Sequence, residues 1–142
     1  MNRQEFEYLR DLPDKEIIDA IIFLQKDSKS TLTFERIRVH NALGIELFLN
    51  GSYVPGIPSL KFNFSVRGVG AICRIEVNGR EHPPAGRTHK HSLTSDSCPR
   101  VNLPHAVARH DLDIYRQSPR EIWEIVCREA NIRHSGEFRE PR

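Results

Sequence analysis

The most regular run of apolar and polar positions is Leu60, Phe62, Phe64 and Val66 against Lys61, Asn63, Ser65 and Arg67. A period of two sends one set into a core and the other into water, so this run predicts a strand. The same period returns in Ile45, Leu47 and Leu49, and in Cys73, Ile75 and Val77 against Arg74 and Glu76. Leu32 and Phe34 share one parity and Ile37 and Val39 the other, which predicts a bulge near Glu35 and Arg36. Asn41 to Gly44 reads as a turn. Asn50-Gly51 reads as a hairpin turn, because both residues accept positive φ. Pro55, Gly56 and Pro58 read as a loop, and Asn78-Gly79 closes the strand that contains Cys73.

Helical spacing appears at both ends. Asn2 with Glu5 three residues later forms a capping box, Phe6 and Leu9 give one apolar stripe, and Pro13 stops the helix. Ser118-Pro119-Arg120-Glu121 is a second start signal. Ile122, Ile125, Val126 and Ala130 then make a stripe that Trp123 and Cys127 widen, so a helix is predicted from Pro119 to Ala130 with Asn131 as a left-handed stop. Residues Glu16 to Gln25 fit both periods and are read as a buried strand at the centre of the sheet. The polar tail from His134 to Arg142 is read as frayed. Together these elements predict an α+β fold in one domain, 1–142. Its sheet is an antiparallel meander of about five strands, with a short N-terminal helix and a C-terminal helix packed on it.

Composition narrows the function classes. With 38% hydrophobic and 28% charged residues the chain fits an ordinary globular protein and not a disordered one. A formal charge of only +2 removes any global polycation, so an electrostatic footprint must be local. No apolar run approaches the ~20 residues of a membrane helix. The N-terminus lacks the apolar core of a signal peptide, which predicts a cytoplasmic protein without a membrane partner. Cys73, Cys98 and Cys127 are odd in number, far apart and without a CxxC, which fits a reducing compartment. Cys73 and Cys127 fall in apolar patterns and read as core.

After Gly79 the periodicity vanishes. Pro83, Pro84, Gly86, Pro99 and Pro104 punctuate a stretch that reads as one long His/Pro-rich loop, 79–111, folded over one end of the sheet. Loops beyond ~12–15 residues are uncommon in compact domains unless they are functional or disordered. This one holds His82, His89, His91, His105 and His110 of the chain's 7 histidines. In an extended segment His89 and His91 point to the same side.

Three chemistries fit that pattern. In the first, His89, His91 and His105 are catalytic imidazoles that move protons at a nucleic-acid phosphate. Arg74, Arg87, Lys90, Arg109 and His110 then bind the phosphate charge. Arg and Lys outnumber Asp and Glu between Arg74 and Arg120, in keeping with an anionic partner. In the second, the HxH pair holds zinc with further ligands from His82, Cys98, His105, His110 or Asp111. The spacing matches no zinc-finger pattern, so the sequence assigns no resident cofactor. In the third, the histidines only cap turns and satisfy buried carbonyls, and the chain is a non-catalytic interaction domain.

Ser92 or Cys98 beside a histidine is a weaker nucleophile candidate, with Asp96, Asp111 or Asp113 to orient the ring. The wet strand faces carry Arg36, Arg38, Lys61, Asn63, Arg67 and Arg74, read as a solvated surface or as a basic groove for RNA or an acidic protein partner. Unpaired strand edges also suit a homodimer.

The stretch Cys73-Arg-Ile-Glu-Val-Asn-Gly-Arg-Glu-His82, followed by Thr88-His-Lys-His91, resembles small bacterial proteins of the mobile-element and toxin–antitoxin pool. The histidine-rich end is similar to that of the TumE-like toxin family. About a third of the chain carries the resemblance, and its motif is short. It implies a bacterial or phage-borne accessory or toxin-like protein acting on RNA, and it carries over to His82, His89 and His91.

Overall fold

The computed structural model describes residues 1–27, 29–93, 103 and 106–142. Helix α1 spans Arg3–Asp11, with the capping box of Asn2 and Glu5 closed in both directions. Phe6 and Leu9 are its buried stripe. The chain then forms short strands β1 (Lys15–Ile17), β2 (Ile21–Ile22) and β3 (Leu24–Gln25). Four eight-residue strands follow: β4 (Leu32–Val39), β5 (Leu47–Val54), β6 (Ser59–Val66) and β7 (Gly70–Val77). β8 (His89–Ser92) and β9 (Ala106–Ala108) come next. Helix α2 covers Pro119–Glu129, capped by Ser118. β10 (Ile132–His134) and β11 (Phe138–Arg139) end the chain.

The fold is α+β. The main sheet has seven antiparallel strands in sequence order, β3 to β9. β1 pairs with β10, and β2 with β11, as two small parallel ladders. Apolar residues on one face of the sheet, including Leu49, Leu60, Phe62, Ile75 and Val77, join Phe6, Leu9, Ile122, Trp123 and Val126 of the helices in a single core. Phe62 sits at its middle, its ring 4.9 Å from Trp123 and 6.3 Å from Phe34. No described helix is long and apolar enough to cross a membrane.

Several expectations need correction. The sheet has seven strands, not about five, because the proline-punctuated stretch supplies β8 and β9. That stretch is therefore no single loop laid over the sheet: part of it extends the sheet. Residues 16–25 are strand-like, yet they break into three pieces along the periphery and not one central strand. Asp14 and Asp27 adopt positive φ on either side, and Ile18 faces solvent. The tail expected to fray returns in β10 and β11, with Phe138 buried against Phe23 and Trp123.

Asn50-Gly51 is no turn; it lies mid-strand in β5. Asn50 Oδ1 accepts a hydrogen bond from the backbone N of Arg36, 2.7 Å away, within the β4 bulge that falls between Phe34 and Ile37. Gly51 is needed for space: a Cβ there would stand 2.2 Å from the Phe34 ring.

Candidate metal centre

Strand pairing places the site. In an antiparallel ladder, residues directly opposite each other share a face. Across the sheet the register runs Thr33, Ser52, Lys61, Glu76, His89, Ala108 in one row, and Asn50, Asn63, Arg74, His91, Ala106 in the next. Both rows lie on the face away from the two helices. The alternation of β7 that buries Cys73, Ile75 and Val77 in the core aims Arg74 and Glu76 the other way. The same alternation in β8 aims His89 and His91 beside them and sends Lys90 to the helix side.

His82 completes the group. It opens a tight turn in which its carbonyl accepts from the backbone N of Ala85 and of Gly86, while its own N–H donates to the Gly86 carbonyl. Gly86 holds φ 81°, where a side chain would be strained. This turn folds His82 back over β8. The three rings meet nearly edge to face, with centroids 4.7, 4.8 and 4.9 Å apart. One ligand atom from each of Glu76, His82, His89 and His91 lies within 4.8 Å of all the others. Gly79 makes room for the carboxylate, since a Cβ there would stand 3.3 Å from Glu76 Oε2.

Burial and proton placement decide what the cluster can do. His89, His91 and Glu76 are buried, at 0%, 4% and 5% exposure, and His82 is half-buried. His89 Nδ1 lies 3.0 Å from the Gly86 carbonyl and His91 Nδ1 3.0 Å from the Leu103 carbonyl. A carbonyl only accepts, so each Nδ1 carries a proton and each ring turns its Nε2 inward. Both Nε2 atoms, and Glu76 Oε2, are buried with no hydrogen-bond partner. His89 Nε2 nevertheless stands 2.9 Å from Glu76 Oε2. At that distance a proton or a metal cation must lie between the two atoms. Burial, then the charge of Arg74, lowers the His91 pKa, so this ring stays neutral near neutral pH.

The donor set fits a zinc-type ion. Zinc–nitrogen and zinc–oxygen bonds of roughly 2.0–2.1 Å in a tetrahedron place ligand atoms about 3.3 Å apart. The His89–Glu76 pair is already near that spacing. The carbonyl bonds at Nδ1 are the outer contacts that fix the tautomer and aim of a metal-binding imidazole.

The other residues singled out in the sequence do not converge here. Lys90 pairs with Glu129 of α2, and Arg109 bridges Glu129 and Asp111, each at 2.8 Å. Arg87 and His110 are exposed and line a separate depression beside Tyr115. Ser92 Oγ accepts from Arg3 of α1, and Asp113 Oδ1 accepts from the backbone N of Tyr115. His105, Cys98 and Asp96 lie outside the described residues. Burial pushes the Cys73 thiol up to about 11 and the Cys127 thiol to about 12, so neither is a ready nucleophile.

Glu76 is the member of the cluster that sequence reasoning missed. Its signal was its place two residues after Arg74 on the non-core face of β7. Recognising it requires the β7–β8 register, which the sequence alone does not supply.

No protein-family model matches the chain, and no curated protein or solved structure matches it either. The functional reading therefore rests on the site's own geometry.

Proposed function

We propose that this chain is a metal-binding domain whose Glu76, His82, His89 and His91 hold one zinc-type divalent ion. The observation that carries the reading is that His89 Nε2, His91 Nε2 and Glu76 Oε2 face inward and are buried together, none with a hydrogen-bond partner. Burying polar atoms that lack a hydrogen-bond partner is costly, and a coordinated cation offsets that cost. The ion would tie the His82 turn and β8 to β7. Imidazole with carboxylate suits zinc better than a soft, thiolate-seeking ion. Cobalt substitution tests this. Cobalt-loaded protein should show the intense visible absorption of a four-coordinate N/O site, and Glu76→Gln should change or abolish it. A spectrum of hydrated cobalt alone would refute the reading.

A second reading, that the site serves nucleic-acid phosphates, is favoured by one observation. Lys61 Nζ and Arg74 Nη1 stand 3.5 and 3.9 Å from Glu76 Oε1, the carboxylate oxygen that does not contact His89. The resemblance noted above would make the chain a bacterial or phage accessory or toxin-like protein and RNA its polymer. Incubating metal-loaded protein with short RNAs tests this, with retention or cleavage lost in a His89→Ala/His91→Ala variant that still folds. Equal behaviour of that variant would exclude it.

A further inference from the structure

The two rows that carry the metal ligands continue past Glu76 and Arg74 into an open groove of about 340 Å³ on the same sheet face. Thr33, Asn50, Ser52, Lys61, Asn63 and Arg74 line it, with Glu35 at the rim, where its carboxylate stands 3.6 Å from Lys26 Nζ. Among the described residues, Glu76 is the only carboxylate within 4.0 Å of Lys61 or Arg74. Arg74 is mostly covered, its side chain 21% exposed, and its Nε is buried without a hydrogen-bond partner. The side chains of Thr33, Ser52 and Asn63 make no hydrogen bond to another described residue; Asn50 is the one already engaged, through its Oδ1.

Glu76 divides its two oxygens between these surroundings. Oε2 faces the imidazoles, and Oε1 faces Lys61 and Arg74. With a divalent ion bound, this single carboxylate must balance the metal and two side-chain cations at once. The positive charge left over faces the groove, where free hydroxyl and amide donors stand ready.

We propose that this groove binds a phosphate-class oxyanion beside the metal, with Arg74 and Lys61 as its charged contacts and Ser52 and Asn63 as neutral donors. A guanidinium presents a planar pair of N–H groups that matches two phosphate oxygens, while an ammonium acts as a point charge. The inference rests on the metal reading, because an ion at Glu76 is what releases the two cations from it.

Inorganic phosphate is the first probe. Zinc-loaded protein should bind it at one site per chain in a calorimetric titration, and apo protein should bind it more weakly. Lys61→Ala, at a partly exposed position, should weaken binding about tenfold or more, as loss of a charged hydrogen bond does. Arg74→Ala should do the same, and Arg74→Lys should recover part of the loss. Zinc content is measured on every sample.

Bound zinc with no phosphate binding, or with Lys61→Ala equal to wild type, overturns this inference and leaves the metal reading standing. Absence of zinc from wild-type protein overturns both. Displacement of phosphate by a short single-stranded RNA would assign the oxyanion to a polymer. Displacement by a mononucleotide but not by RNA would assign it to a small molecule. Either result supports the groove.

Discussion

β7 and β8 present two buried faces made by opposite means. On the helix side Cys73, Ile75 and Val77 sit among hydrocarbon, and burial itself is the stabilising term. On the other side Glu76, His89 and His91 are buried almost as deeply, yet burial there costs free energy until the polar atoms find partners. A strand's alternation thus separates a region that holds itself together from one that, on the proposed reading, is completed by a metal ion. Equal exposure on two faces does not mean equal energetics.

The largest effect should come from the apolar face. Phe62→Ala removes the ring between Phe34 and Trp123 and should cost about 3–5 kcal/mol in chemical denaturation, with or without zinc. Next comes the polar face. Zinc at a hundredfold excess over its Kd should raise stability by about 2.7 kcal/mol, and chelation should remove that gain. Glu76→Gln should abolish most of this difference while leaving the apo protein folded. If chelation leaves wild-type stability unchanged, the contrast between the faces fails.

A pH test sharpens the cost of burial on the helix side. Lys15 is 2% exposed, and desolvation lowers its pKa from 10.5 to about 8. Its Nζ donates to the carbonyls of Arg10 and Leu12 at the end of α1. A lowered folded pKa means that the unfolded chain holds more protons between pH 8 and 10.5, so the sign is positive: stability rises with pH across that window. The rise attributable to Lys15 should be about 2 kcal/mol and should disappear in Lys15→Met. A wild-type curve that falls as steeply as the variant's would contradict this.

The smallest effect should come from Lys90. It lies between two proposed ligands in sequence but pairs with Glu129 on the other face. Lys90→Ala should cost about 1 kcal/mol or less and leave zinc affinity unchanged. A large loss of zinc binding would break the assignment of faces.

Much of this contrast is legible in the sequence. Leu60 to Val66 and Cys73 to Val77 show their faces by period alone, and HxH in an extended segment shows that two imidazoles share a side. The caps at Asn2 and Ser118 and the bulge at Arg36 follow from local chemistry, which needs no tertiary information. Other features depend on pairing. Asn50-Gly51 has turn chemistry, yet Asn50 serves a neighbouring strand's bulge and Gly51 yields space to Phe34. Phe138 appears frayed in a polar tail until β2 pairs with its strand. Lys90 and Arg109 carry the right charge for a phosphate site, but strand parity and Glu129 direct them elsewhere. Glu76 reads as a wet strand residue until β8 is laid against β7 and brings His89 within reach.

Zinc content per chain is the most direct test of the central claim. Wild-type protein, loaded with zinc and freed of excess, should retain one ion per chain by native mass spectrometry, and Glu76→Gln and His89→Ala should each retain far less. A folded wild-type protein that retains no zinc, or variants that retain as much as wild type, would contradict it.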